Sequence, residues 1–246
     1  MQYQAPERDA HFLMFDVFRA QEVWRDVPAF ADFSEDLVQA VITEGGRIAT
    51  EVMAPTNAVG DQEGCSWNDG EVTTPEVFKK AFGQLTEGGW LGLAGNPEYG
   101  GQGMPKMLAG VVEEMLWAGN TSLYLYGTLT VGTCLCIDAH GSEAQKALYL
   151  QKLYSGEWTG AMALTESHSG TDLGIMRTKA EPRADGSYTI TGTKIFITGG
   201  EHDLANNVVH LVLAKLPDAP AGSKGISLFI VPKFLVNEDG SLGERN

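Results

Sequence analysis

Near residue 157 the sequence changes its period, and that change restricts the fold more than any other feature. Up to about Gly156 the apolar residues recur at spacings of three and four, the period of helices. From Trp158 onward they alternate, the period of strands with one buried face. A helical run followed by a strand run predicts an α+β chain with segregated parts: an all-α helical bundle over residues 1–157 and an antiparallel β domain over 158–246. A doubly wound nucleotide fold needs strands and helices in alternation, and no Gly-x-Gly-x-x-Gly follows a strand here.

Helix signals punctuate the first part. Ser34 is placed to cap a helix whose Leu37, Val38, Val41, Ile42, Ile48, Ala49 and Val52 share one face, with a bend or a close helix contact expected at Gly45-Gly46. Thr74 as N-cap and Pro75 as first helical residue open a helix that buries Phe78, Ala81, Phe82 and Leu85 and ends at Gly88-Gly89. A third helix turns Leu108, Val111, Val112, Met115 and Leu116 inward. The stretch "TSLYLYGTLTVGTCLCIDAHG" is apolar on nearly every side, as in a helix central to a bundle. Ser142 and Gln145 have the spacing of a capping box.

In the second part, "WTGAMALT" reads as a strand. "GIMRTKAEPR" and "SYTITGTKIFIT" read as a hairpin about Asp185-Gly186, and "NVVHLVLAKL" and "GISLFIVP" as two further strands. The tail after Pro232 reads as polar and turn-like. Its open end is expected to make this chain the N-terminal part of something longer.

Charge and cysteine usage remove several classes of function. A formal net charge of −15 disfavours nucleic acid and anionic membrane as partners. The N-terminus has neither a signal-peptide core nor an anchor. Cys65, Cys134 and Cys136 are odd in number and lack metal-ligand spacing, so free thiols in a reducing cytoplasm and no metal site are expected.

Two stretches carry chemistry. In "ALTESHSGTDLG" an apolar strand ends in a dense set of hydroxyl, carboxylate and glycine residues. Backbone groups exposed at such a strand end can cradle an anion or a polar ring, and a polar loop packed on the helical part would look the same. "GTKIFITGGE" reads as a strand carrying Phe196 and ending at Thr198, an aromatic and a hydroxyl suited to a flat heteroaromatic ring; core packing of Phe196 is the alternative.

These stretches, with the Asp-Gly hairpin, "GISLFIVP", "NPEYGGQGMP" and "AHGSEAQKALYLQKLYSGEWTGAMALTE", resemble the N-terminal and middle domains of the FAD-dependent acyl-CoA dehydrogenases, from about residue 34 onward. The N-terminal "YQAPERDAHFLMFDV" and the tail resemble a longer bacterial branch that includes enzymes acting on methylthiopropanoyl-CoA in dimethylsulfoniopropionate degradation. The resemblance implies α,β-dehydrogenation of a short-chain or 3-methylthiopropanoyl-CoA thioester. It also implies FAD as cofactor, an electron-transfer flavoprotein as acceptor, and a homodimer or tetramer.

By the same match, Met162, Leu164, Thr165, Gly170 and Thr171 contact the flavin ring and pyrophosphate, and Thr171 also meets the thioester arm. Phe196, Ile197 and Thr198 lie behind the ring, with Thr198 donating to N5 or O4. Residues Glu113 to Tyr126 line the acyl pocket, where Gly119, Tyr124 and Tyr126 set its depth unless the tyrosines are bundle core. The family's Thr-Glu-Pro is Thr165-Glu166-Ser167 here, which removes a φ constraint. His168 reads as an exposed loop residue, and His140, His202 and His210 as structural or surface residues. The catalytic base is expected beyond residue 246, in a C-terminal bundle this chain lacks, so no catalytic residue is assigned. Two alternatives remain open: an acyl-CoA oxidase-like or monooxygenase-like flavoenzyme, and a non-enzymatic module of the same fold.

Overall fold

The computed structural model describes residues 3–246. The helical part comprises α1 (Glu7–His11), α2 (Ala20–Arg25), α3 (Glu35–Arg47), α4 (Ala54–Glu63), α5 (Glu76–Glu87), α6 (Lys106–Gly119), α7 (Thr121–His140) and α8 (Glu143–Tyr154). A small hairpin, β1 (Ser66–Asn68) and β2 (Glu71–Thr73), interrupts it. Then come β3 (Trp158–Ala163), β4 (Lys179–Pro182), β5 (Tyr188–Thr191), β6 (Asn207–Lys215), β7 (Ile226–Pro232), β8 (Phe234–Val236) and β9 (Leu242–Arg245).

Side-chain caps explain where three of these eight helices start. Ser34 Oγ accepts the Leu37 N–H, and Ser142 and Gln145 form the reciprocal capping box. Asn120, fully buried, caps α7 through the Leu123 N–H and donates to Thr56 Oγ1 at 2.8 Å. At α5 the expectation is off by one residue: Pro75 is the cap. Asp203 has captured Thr74 instead, accepting both its N–H and its hydroxyl at 2.9 and 2.7 Å. At Gly45-Gly46 the helix makes the close contact and does not break: a β-carbon on Gly45 would lie 2.9 Å from Val112 Cγ1 of α6. The helix runs on through a π segment, Ile48–Met53, directly before Pro55. Proline supplies no N–H to the preceding turn, and widening that turn is the helix's accommodation.

β6 is the centre of the five-stranded sheet. It pairs antiparallel with β7 over seven residues, and β4 pairs antiparallel with β5. Beside these antiparallel pairs the sheet also carries parallel ones: β3 runs parallel to β6, and β4 meets β6 in parallel at Lys179 and Lys215. Alternation in the sequence cannot report this, since it is the same in both pairings. The tail is not an open loop: β8 and β9 form a hairpin about Asp239-Gly240. Asp239 Oδ1 accepts from the N–H and hydroxyl of Ser241, as Asp185 does from Ser187.

The two parts meet along α7 and β3. Thr130 Oγ1 accepts the Gly160 N–H at 3.0 Å while donating to Tyr126 O. A β-carbon on Gly160 would lie 2.2 Å from Thr133 Oγ1. α7 is apolar all round because helices cover one side and the sheet the other, as its sequence predicts. Gly160→Ala is therefore expected to lower stability by about 2 kcal/mol through overpacking, read from urea unfolding.

Candidate functional site

The candidate site is built where β3 ends. Along β3 every residue is buried except Met162, which is 38% exposed. Beyond Ala163 the chain reverses tightly: Glu166 N–H donates to Ser169 O at 2.8 Å, and Ser169 N–H donates back to Glu166 O at 3.0 Å. Ser167 and His168 form the exposed tip. Ser169 Oγ then donates to Asp172 O, and Asp172 Oδ1 accepts the Gly174 N–H. These bonds shape the turn without the proline that Ser167 replaces.

Beneath the turn lies the Glu166 carboxylate, 4% exposed. It accepts from Arg177 N–H (2.8 Å), Thr178 N–H (3.0 Å), Thr178 Oγ1 (2.6 Å) and Lys194 Nζ (3.0 Å). His168 Nε2 approaches to 3.4 Å from the exposed side. Burial works to raise the Glu166 pKa, but the bonds from Thr178, Arg177 and Lys194 outweigh it and hold the pKa near 2. A carboxylate so engaged is a poor proton acceptor, and Glu166 does not qualify as a catalytic base.

Lys194 also donates to Leu164 O at 2.9 Å, and Ile195 N–H donates to Thr165 O at 2.8 Å. Segments 164–166 and 194–195 are thereby stitched together. This corrects the reading of 192–198 as a strand, because β5 stops at Thr191. A β-carbon on Gly192 would fall 2.3 Å from Thr178 Oγ1, and Lys194 turns inward toward Glu166. Phe196 takes a left-handed φ of 56° and is 88% exposed, not core.

Thr165, Gly170 and Thr171 thus sit on one side of the seam and Phe196, Ile197 and Thr198 on the other. A β-carbon on Gly170 would stand 3.7 Å from Thr165 Cγ2. Thr171 and Thr198 are exposed, while Leu164, Thr165 and Ile197 are half-buried. Tyr126 of α7 packs its ring 4.8 Å from His202 and lies under Gly199, and burial, with Cys65 nearby, pushes its phenol pKa up. Tyr124 is wholly buried against Trp117, as bundle core.

Gly119 is not brought to this cluster. It closes α6 onto the π segment, where a β-carbon would lie 2.7 Å from Ala49 O, and it borders a separate cavity of about 530 Å³ beside α4. A groove of about 1080 Å³ between α7–α8 and β5–β7 contains none of the candidate residues. The candidate site is an exposed shelf at a strand end.

Sequence reasoning did not find the Glu166–Lys194 pair, or Thr178 beneath it. A glutamate just after an apolar strand and a lysine inside "KIFI" were the available signal for a buried ion pair. His202 is buried, His140 is exposed, Cys134 is buried and Cys65 is exposed. No helix among the described residues is long and apolar enough to cross a membrane.

Because the folded-state pKa of Glu166 lies below its ordinary value, its stabilisation is present above about pH 4.5 and is lost as pH falls toward about 2. Glu166→Gln is expected to cost about 3 kcal/mol at pH 7, because Lys194 stays buried without its partner. The variant's stability is expected to fall less steeply than the wild type's through that acidic window, as urea midpoints measured from pH 7 to 2.5 would show.

Comparison with known proteins agrees with this layout. The acyl-CoA dehydrogenase N-terminal domain matches residues 47–157, and the acyl-CoA dehydrogenase middle domain matches 161–242. A 3-methylmercaptopropionyl-CoA dehydrogenase from Ruegeria pomeroyi is 45% identical over 249 residues, covering 100% of this chain and 42% of that protein. Among solved structures, butyryl-CoA dehydrogenase from Megasphaera elsdenii superposes with a TM-score of 0.66 at 29% identity, over 81% of this chain and 49% of that one. An acyl-CoA dehydrogenase complexed with FAD from Bacillus anthracis gives 0.65 at 27% identity, over 82% and 31%. The chain thus spans about two fifths of the length of its curated relative and half or less of these solved ones. With two consecutive domain matches in order along one fold, the chain belongs to the acyl-CoA dehydrogenase family.

Proposed function

We propose that this chain forms the flavin-holding part of a cytoplasmic acyl-CoA dehydrogenase acting on a short-chain or 3-methylthiopropanoyl thioester. The helical part, residues 1–157, would supply the acyl pocket, and residues 158–246 the flavin shelf. The observation that carries this reading is Phe196, a large apolar side chain held 88% exposed on a left-handed backbone at the seam of two pinned segments. Strain and exposure of that kind persist where the surroundings enforce them, and they suit a flat partner. The neighbouring groups fit FAD. Met162 is the exposed member of β3, Thr165 and Leu164 offer backbone groups at the strand end, and Thr198 offers a hydroxyl.

FAD when bound supplies the acceptor for the substrate's β hydrogen. The chain's own residues bind and orient. Phe196 and Ile197 would back the ring, Leu164 and Thr165 would meet its polar edge, and Thr198 would donate to that edge, favouring negative charge there. Gly170 would let the backbone come close to the pyrophosphate, and Thr171 would meet it together with the thioester arm. Tyr126, under Gly199, narrows the approach of the acyl chain. The α proton requires a base across the substrate from the ring, and Glu166 is bonded into the shelf instead. The Ruegeria relative supports the methylthio substrate, and the electron acceptor would be an electron-transfer flavoprotein working with a homo-oligomeric enzyme.

The test uses the longer protein that carries this chain. Its visible flavin bands are expected to bleach when methylthiopropanoyl-CoA is titrated in anaerobically, with butanoyl-CoA as comparison. Bands that never bleach would assign another flavin reaction, and rapid oxygen consumption without added acceptor an oxidase. Phe196→Ala is expected to weaken FAD retention about tenfold, the equivalent of ~1.4 kcal/mol of lost stacking. Residues 1–246 alone are expected to show no dehydrogenase turnover, and measurable turnover by them would refute the placement of the base elsewhere.

A further inference from the structure

His210 lies on β6 opposite Val231 of β7. Its Nδ1 is 3.0 Å from Val231 O and its Nε2 is 2.6 Å from Gly200 O. Both partners are carbonyl oxygens, which only accept, whereas a neutral imidazole donates from one nitrogen alone. The two contacts are both hydrogen bonds only when the ring carries both protons. In the neutral ring, one nitrogen lone pair would face a carbonyl oxygen at hydrogen-bond distance.

His202, 1% exposed, has the opposite requirement. Its Nδ1 accepts the Leu204 N–H at 3.1 Å, so that nitrogen carries no proton. Nε2 then donates to the buried Thr159 Oγ1 of β3 at 2.9 Å. Burial, with Lys233 nearby, holds its pKa down near 4, which preserves the neutral ring. The loop between the two histidines is gripped at both ends: at the Gly200 carbonyl by His210 and at the Leu204 amide by His202. This loop directly follows Phe196–Thr198, and Gly200 N–H bonds back to Ile197 O at 3.3 Å.

We infer that His210, as a doubly donating imidazolium, and His202, as a neutral imidazole, are positioning residues that hold the Phe196–Thr198 segment in place. The flavin consequence rests on the function proposed above; the clamp itself does not. The charged and titratable groups facing the pair are Glu201 and Asp203 of the loop, Lys233 after β7, Arg245 of β9, Tyr126 of α7 and, across the groove, His140. Glu201 is ion-paired to Lys233 and to Arg245, so it is not free to follow His210 when the ring loses its proton. The grip on Gly200 needs both ring protons, because its partner is a carbonyl oxygen and so is the partner of the other nitrogen. Gly200 O is the bond released, because Val231 is fixed in the β6–β7 ladder.

The experiment is a pH titration of the full chain, with ¹⁵N-labelled histidine for ring protonation and amide exchange for residues 199–204. At pH 6 both ring nitrogens of His210 are expected to be protonated and at pH 9 only one, while His202 stays protonated at Nε2 alone. Exchange in the loop, corrected for intrinsic base catalysis, is expected to rise about tenfold between those pH values, the size of one lost charge-assisted hydrogen bond. H210Q should raise it at both pH values and remove the dependence. The FAD dissociation constant should follow the same profile in wild type and be flat in H210Q. A singly protonated His210 at pH 6, or loop exchange indifferent to both pH and H210Q, overturns the inference. If H210Q does not fold, the wild-type titration decides alone. If FAD never binds, the cofactor reading fails while ring protonation and exchange still decide the clamp.

Discussion

The buried carboxylate of Glu166 is the interaction on which the geometry of the candidate site depends. A charge with 4% exposure is tolerated only when its lone pairs are met, and here two backbone amides, a hydroxyl and an ammonium meet them. Satisfying it dictates the surroundings. Residues 177–178 must run past one side, and Lys194 must point inward from the other. β5 has already stopped at Thr191, and Ile195 N–H bonds to Thr165 O before the chain turns. Phe196 follows on a left-handed backbone and is presented outward instead of entering the core.

Lys194 does a second thing with the same ammonium. By donating to Leu164 O it ties the charge network to the strand end itself, and the Ile195–Thr165 bond completes the seam. Displacing the carboxylate would shift both walls of the shelf together. The site therefore inherits its geometry from a buried ion pair beneath it, and none of the exposed threonines has to hold the shape.

The rest of the fold supplies the platform. α7 is in contact with β3 through Thr130, Thr133 and Gly160, leaving no room for a side chain at Gly160. A second tie joins the parts at a distance, where Asp203 binds Thr74 and also Lys79 at 2.9 Å. The loop over residues 199–206 is thus anchored to the helical part through Asp203, to β3 through His202, and to β6 through His210. Three anchors tie this one short loop to three different elements without regular secondary structure.

Much of this was determined by the sequence alone. The change of period at residue 157, the Ser34 cap, the Ser142 capping box and the Asp185-Gly186 turn are local, and each depends on residues a few positions apart. The family resemblance was readable because each of its motifs is a short contiguous stretch. Tertiary structure decided whatever depends on partners far along the chain. The parallel pairing of β3 with β6 leaves no trace in alternation. Thr74 lost its capping role to an aspartate 129 residues away. Gly119 proved to be a helix-packing glycine because Ala49 and Met53 press on it. The demands on His202 and His210 exist only because particular carbonyl and amide groups face their rings. Local hydrogen bonding and hydrophobic period can be read residue by residue, whereas the satisfaction of a buried polar group depends on every segment that folding brings to it.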